Sequence, residues 1–343
     1  MSKRKLSKLQ KSRIQSIQEQ RRERAKDENS IDIEKIDQLG ELGPEIIGTV
    51  ISNFGVQVDI EANEGDLVGQ VIRCHIRSNL DSLVTGDQVI WRLAKPHGVV
   101  VARMDRHSEL VRPDSYGKLR PVAANIDVIA IVFSSKPIAF RNLLDRYLVA
   151  AETQNIRPIL ILNKTDLITN GNFPESTQIV KDYESIGYHV FRTSARTDEG
   201  IEGLQKFLSN KTATFVGQSG VGKSSIINRL QPKANTLVGP LSTGKDKGTH
   251  TTTVSRLFHF GNGGILIDSP GIREFSLTHL SREQIINSFI DFRPYLGHCK
   301  FRDCHHKNEP GCKLKDAVVR KKILQSRFDN YHQIIVSRES GRL

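Results

Sequence analysis

The octapeptide Gly217–Ser224, GQSGVGKS, has the spacing G-x-x-x-x-G-K-[S/T]. Its glycines let backbone N–H groups curl around phosphate oxygens, and a helix starting there adds the partial positive charge of its N-terminus. The context agrees, because an apolar strand-like run, TATFV, precedes the loop and a helix-like run, SSIINRL, follows it. Lys223 is then the cation that reaches the β- and γ-phosphates, and the Ser224 hydroxyl is a Mg²⁺ ligand. The expected phosphate-binding set is Gly217, Gln218, Ser219, Gly220, Val221, Gly222, Lys223, Ser224 and Ser225.

Three further clusters complete a nucleotide site. Downstream, DSPG (Asp268–Gly271) ends the apolar run GILID. Asp268 is the expected Mg²⁺-side carboxylate and Gly271 the expected γ-phosphate-sensing N–H. A ligand-free turn uses the same residue types, but a place behind an apolar strand and downstream of the phosphate loop decides for the nucleotide. Upstream, NKTD (Asn163–Asp166) follows the apolar run PILIL. The Asp166 carboxylate accepts from guanine N1–H and from the exocyclic amino group, a donor pair adenine lacks. A buried acceptor left unpaired rejects the wrong base by as much as ~10⁴-fold. Lys164 is expected to lay its stem along the base, and Asn163 to tie this loop to the phosphate loop. Ser194-Ala195-Arg196 follows the next strand, where the Ala195 N–H can meet guanine O6 and Ser194 belongs to the same loop. The base is guanine, so GTP and GDP with Mg²⁺ are the expected ligands.

Between the phosphate loop and Asp268 lies GPLSTGKDKGTHTTT, which reads as a loop ordered by the γ-phosphate and its metal. Thr251 or Thr252 supplies the threonine expected on Mg²⁺; with Thr251 taken, the Mg²⁺ set is Ser224, Thr251 and Asp268. Ile272 stands where Ras-like enzymes carry a water-orienting glutamine, and an aliphatic side chain cannot position water. Slow intrinsic hydrolysis is expected, with the missing group supplied in cis or by a partner. His250 is the candidate, set against the plainer reading of an exposed loop histidine. The expected catalytic set is His250, Thr251 and Lys223.

Near the C-terminus, Cys299-x₄-Cys304-x-His306-x₅-Cys312 offers three thiolates and an imidazole, the donors of a closed structural Zn²⁺ site. His305 competes with His306 for the fourth place. Lys300, Arg302, Lys307, Lys313, Lys315, Arg320, Lys321 and Lys322 surround the cluster, as suits a module facing nucleic acid. With only four cysteines, three of them clustered and Cys74 alone, a metal site fits better than a disulfide framework.

These loops need rigid elements behind them. From about residue 113 the chain alternates apolar strand-like runs (NIDVIAIVFSS, PILIL, YHVFRTSA, TATFV) with helical spacing, the pattern of a parallel sheet covered on both faces. The base-reading loops precede the phosphate loop, the reverse of ordinary GTPase order. A doubly wound sheet tolerates that permutation, because every loop still emerges at the strands' carboxyl ends. Before this region, alternating Val56, Val58 and Ile60 and the runs VIRCHI, QVIWRL and GVVVARM suggest a small barrel of the OB type. Its Arg73, Arg77, Trp91 and Arg92 weigh slightly toward RNA binding against a structural spacer. The expected organisation is a basic disordered arm (1–40), an OB-fold domain (41–112), a circularly permuted GTPase domain (113–275) and a helical zinc-binding region (276–343). The fold class is thus an α/β P-loop NTPase of permuted topology between an all-β barrel and a zinc module.

The 343 residues carry 50 Lys+Arg against 38 Asp+Glu, a net +12. Such an excess points to a polyanionic partner, nucleic acid first and an anionic membrane second. No run approaches the ~18 apolar residues of a membrane span, and the basic, polar N-terminus lacks a signal peptide's apolar stretch. A cytoplasmic protein without membrane association is expected. No heptads argue for a dimer, so a monomer is expected.

The whole assembly resembles one family, the ribosome small-subunit-dependent GTPases (RsgA/YjeQ). The resemblance rests on the NKTD–SAR–GQSGVGKS–DSPG order, the Cys-Cys-His-Cys region, and the local matches VAANIDVIAIV, LLDRYL, THTTT and DSPGIREFSL over roughly residues 45–330. It implies a GTPase of late 30S maturation, stimulated by that particle, with 16S rRNA as partner. It also implies Asn163, Lys164, Asp166, Ser194, Gly217–Ser224 and Asp268 as nucleotide residues and Cys299, Cys304, His306 and Cys312 as zinc ligands. Gly220 stands where potassium-activated GTPases often carry Asn, so no K⁺ requirement is expected. The competing reading is an RNA-binding scaffold that senses GTP without stimulated turnover.

Overall fold

A computed structural model describes residues 42–77, 80–114, 116–168, 172–231, 255–268 and 277–340. The chain divides into two compact units. The first holds the chain up to Leu83 together with Asp87–Asp105, and the second holds Val84–Gly86 and Arg106–Leu343.

The first unit is a closed five-stranded barrel: β1 Glu45–Asn53, β2 Gln57–Ala62, β3 Val71–Ile76, β4 Gln88–Arg92 and β5 Gly98–Arg103. Strands follow the order β1-β2-β3-β5-β4, and β4 returns to β1. Only β3 and β5 pair in parallel. Alternate residues point inward, so Val58 and Ile60 of β2 join Val50, Cys74, Val89, Trp91 and Val100 in the core. Trp91 is completely buried there and offers nothing to a partner. Arg73 lies on the outside, its guanidinium 4.4 Å from the ring centroid of the exposed Phe54.

The second unit opens with the hairpin β6 Glu109–Pro113 and β7 Leu119–Ala124. Its body is a six-stranded sheet in the order β10-β9-β8-β11-β13-β12. The strands are β8 Val128–Ser134, β9 Arg157–Asn163, β10 Val190–Arg192, β11 Thr212–Val216, β12 Arg256–Phe260 and β13 Gly264–Asp268. All pair in parallel except the edge strand β12, which runs antiparallel to β13. Every residue of β8 is buried, as a strand covered on both faces must be. The intervening helices are α1 Arg141–Thr153, α2 Pro174–Ile186, α3 Ile201–Phe207 and α4 Lys223–Leu230.

Three more helices follow in the same unit: α5 Arg282–Asn287, α6 Lys313–Val319 and α7 Gln325–Glu339. A capping box starts α5, with Ser281 Oγ accepting from the Gln284 N–H and Gln284 reaching back to the Ser281 N–H. Phe289, Phe292 and Tyr331 pack ring to ring with centroids 4.8–5.8 Å apart. Beside them Arg327 of α7 is buried and bonds Asp145 of α1 at 2.5 Å and Asp291 at 2.7 Å. Asn330 and Tyr183 also donate to Asp145, each at 2.5 Å. Among the described residues no helix is long and apolar enough to cross a membrane.

Candidate nucleotide site and metal centre

From β8 the chain adds β9 and β10 on one side, then crosses to place β11 on the other. The sheet therefore changes winding direction between β8 and β11, and the carboxyl ends of those strands are where doubly wound folds bind ligands. The loops singled out in the sequence leave this edge. Lys164–Asp166 follows β9, Ser194–Arg196 follows β10, Gly217–Gly222 follows β11, and Asp268 closes β13.

Local physics builds each loop. Gly217 has φ +140°, and a Cβ there would lie 2.1 Å from the Val132 carbonyl oxygen of β8. At Gly222, with φ +94°, a Cβ would lie 2.3 Å from Asn163 Nδ2. Only glycine permits these approaches and these dihedrals, so the phosphate loop can lie directly on β8 and the Asn163 loop. Lys223 spans the loop, its Nζ donating to the carbonyls of Gly217 at 2.7 Å and Gln218 at 2.8 Å. Ser224 and Ser225 stand exposed in the first turn of α4.

The base-reading side is fastened to the phosphate side. Asn163 is buried, and its Nδ2 donates to the Val221 carbonyl at 2.9 Å while its Oδ1 accepts from the Ala195 N–H at 3.2 Å. Lys164 adopts φ +64°, which turns its ammonium onto the carbonyls of Gly220 and Lys136, both at 2.6 Å. Asp166 Oδ1 accepts from Ser194 Oγ at 2.6 Å, and Ser194 Oγ accepts from the N–H groups of Arg196 and Thr197 at 3.3 and 3.2 Å. Ser194 thus orients the carboxylate and closes its own turn, a part the sequence pattern did not assign it. Thr165 Oγ1 donates to Glu199 at 2.8 Å, and Arg229 Nε donates to the Ala195 carbonyl at 3.0 Å. Lys136, Glu199 and Arg229 were not anticipated. Each acts across the fold, and no short-range pattern marks it.

The structure brings Asn163, Lys164, Asp166, Ser194, Ala195 and the Gly217–Ser225 loop together at one edge of the sheet. His250, Thr251, Thr252, Gly271 and Ile272 lie outside the described residues, as does the basic arm 1–40.

The cysteine cluster is equally compact. The ligand atoms of Cys299, Cys304, His306 and Cys312 all lie within 4.8 Å of one another. His306 Nδ1 is 3.6, 3.5 and 3.4 Å from the sulfurs of Cys299, Cys304 and Cys312. A tetrahedron with bonds of ~2.05 Å to nitrogen and ~2.3 Å to sulfur has N···S edges of about 3.6 Å, so the donor set fits a tetrahedral cation such as Zn²⁺. Burial and the neighbouring thiols push Cys304 up to about 12. A thiolate at Cys304 at neutral pH therefore needs a bound cation beside it. His305 is excluded from the cluster. Its backbone N–H donates to Glu309 at 2.9 Å, and the Lys307 N–H donates to the same carboxylate at 2.8 Å, which ties up the loop between the ligands. The Lys313 N–H approaches Cys299 Sγ at 3.3 Å, and His332 of α7 pairs through Nε2 with the His306 carbonyl at 3.1 Å.

Comparison with known proteins agrees with this geometry. A family model described as RsgA GTPase matches residues 103–278. The small ribosomal subunit biogenesis GTPase RsgA of Pseudomonas fluorescens (strain Pf0-1) is 52% identical over 338 residues, 98% of each chain. That of Azotobacter vinelandii (strain DJ) is 51% identical over the same length and coverage. Among solved structures, YjeQ from Thermotoga maritima matches with a TM-score of 0.70 at 29% identity, covering 86% of this chain and 99% of its own. YloQ, a circularly permuted GTPase, matches with a TM-score of 0.69 at 29% identity over 88% of this chain and 97% of its own.

Proposed function

The chain belongs to the RsgA GTPase family and is a GTP hydrolase, and from that premise we propose that it acts on the small ribosomal subunit during late maturation, with 16S rRNA as the surface it grips. The observation that best supports the nucleotide half is the mutual fastening of the two loop sets, with Asn163 bonded to Val221 of the phosphate loop and to Ala195 of the base loop. The partner half draws support from the relatives' names, since a likeness spanning 98% of both chains takes in barrel, sheet and metal region together.

In this reading Asp166 accepts from guanine N1–H and the amino group, the Ala195 N–H, shared with Asn163 Oδ1, meets O6, and Lys164 covers the base. The N–H groups of the Gly217–Gly222 loop and Lys223 hold the phosphates. Ser224, Thr251 and Asp268 would hold Mg²⁺, which would supply positive charge to offset that of the phosphates. Asn163 keeps the two halves at a constant separation, so that binding the base places the γ-phosphate. His250 is the proposed catalytic residue, acting on the attacking water when the subunit is bound. Cys299, Cys304, His306 and Cys312 would hold one structural Zn²⁺ and so present the basic residues around them to RNA. On the barrel, Phe54 with the Arg73 guanidinium over its ring has the combination of aromatic face and cation that stacks unpaired bases. Residues 1–40 serve as a basic arm, 41–112 as the barrel domain, 113–275 as the GTPase domain and 276–343 as the zinc region of a cytoplasmic monomer.

Steady-state GTP hydrolysis, measured alone and with purified small and large subunits, tests the reading, with His250→Ala run in parallel. Stimulation by the small subunit only, lost in His250→Ala with GTP affinity retained, is the expected result. No stimulation by either particle would leave the enzyme but reject the partner, in favour of a GTP-sensing RNA-binding protein.

A further inference from the structure

Arg229 lies in the last turn of α4, the helix whose first residue is Lys223 of the phosphate loop. Its side chain reaches the base-reading loop. Nε donates to the Ala195 carbonyl at 3.0 Å, and Nη1 donates to Asp198 at 3.2 Å. The Asp198 carboxylate sits beside the same fork, with Oδ1 3.2 Å from Nε, and so orients the guanidinium toward the loop. Ala195 is thereby held from both sides, with Asn163 Oδ1 accepting from its N–H and Arg229 donating to its carbonyl.

We infer that Arg229 is a positioning residue for guanine recognition, bolting the base loop to the phosphate-gripping helix. The inference rests on the proposed reading of Ala195 as the O6 contact. The Ala195 carbonyl lies in the peptide plane shared with Arg196, so Arg229 pins the plane on one side of the Ala195 Cα while Asn163 holds the N–H on the other, which fixes the path of the loop through Ala195. A guanidinium donor makes the carbonyl bond charge-assisted. Lys223 and Arg229 are six residues apart on one rigid helix, about 9 Å along its axis. The distance between the phosphate cradle and the O6 donor is thus set by a helix rather than by a loop. Arg229 does not touch the nucleotide itself. It acts through Ala195, so its removal affects contacts to O6 more than contacts to N1–H, the amino group or the phosphates.

The test uses the full chain with Mg²⁺ and compares GDP with 6-thio-GDP, which keeps N1–H and the amino group but replaces O6 by a poorer acceptor. Arg229→Ala is expected to weaken GDP roughly 3- to 10-fold, the scale of one partly exposed charge-assisted bond. It should weaken 6-thio-GDP less, so that the preference between the two nucleotides narrows. KM for GTP rises by a similar factor while kcat holds, and Arg229→Lys, which keeps one donor, recovers part of the preference. Equal loss for both nucleotides would mean general loosening, and no loss would mean a surface ion pair only; either overturns the inference. If Arg229→Ala does not fold, Asp198→Asn should narrow the preference in the same direction by a smaller amount, and an unchanged preference there overturns it as well. A wild-type protein that fails to prefer GDP over ADP would defeat the base reading itself. Guanine preference with an unaltered Arg229→Ala would defeat the positioning role alone.

Discussion

Asp166 shows how little of a residue's role resides in its own side chain. Its Oδ1 is held by Ser194 Oγ at 2.6 Å, and that hydroxyl is in turn held by two backbone N–H groups. The carboxylate therefore presents its acceptors in a set direction, as the proposed recognition of two side-by-side donors on guanine requires. Asp166→Asn keeps the shape but turns one acceptor into a donor, so guanine's amino group meets an N–H. Xanthine, with an oxygen at that position, is accepted instead. The expected outcome is a loss of GTP selectivity of order 10³–10⁴ with preference transferred to XTP, read from competition binding. Retained GTP preference would remove Asp166 from base recognition.

At the scale of elements, α7 fastens the C-terminal region to the nucleotide-binding sheet's helices. Arg327 is 2% exposed and lies between Asp145 and Asp291. Burial opposes its charge, yet the two carboxylates outweigh that and hold its pKa well above the usual arginine value. Burial first, then Asp145, likewise drives the Tyr183 hydroxyl well above its usual range, so it remains a donor to that carboxylate. Arg327→Met should cost about 3–5 kcal/mol, because removing one member of a buried ion cluster leaves uncompensated charge. Adding Asp145→Asn and Asp291→Asn should restore part of that loss in urea unfolding, and no restoration would mean that packing against Phe289 matters more than charge. On the other side of α7, His332 pairs with the backbone of His306, so the candidate metal ligands and the helix share one support. Chelation should therefore release one Zn²⁺ per chain and expose the Cys299–Cys312 segment to proteolysis, while GDP still binds at the Gly217–Ser224 loop. Zero metal in the untreated protein with the segment already protected would refute the structural role.

For the molecule as a whole, the +12 charge is the longest-range property available. Lys300, Arg302, Lys307, Arg320, Lys321 and Lys322 stand exposed around the Cys/His cluster. Binding to the small subunit should accordingly release counterions and weaken by at least ~10-fold between 50 and 200 mM salt. Salt-independent binding would argue for protein contacts in place of rRNA. The sequence by itself determined what sits in short contiguous runs: the permuted motif order, the candidate phosphate and base loops, and the Cys-Cys-His-Cys set that the structure gathers. In those runs backbone conformation and ligand type are set within a few residues, so spacing alone carries the signal. Tertiary structure alone decided the rest. Trp91, which an isolated reading offers to RNA, closes the barrel core because β4 alternation turns it inward. His306 displaced His305 because its buried ring brings Nδ1 within 3.6 Å of all three sulfurs while His305 stands exposed. Arg229, Lys136, Glu199 and the Arg327 cluster join residues between 28 and 185 positions apart. Contacts of that range exist only once the sheet and helices have brought their partners together, and no local pattern in the chain encodes them.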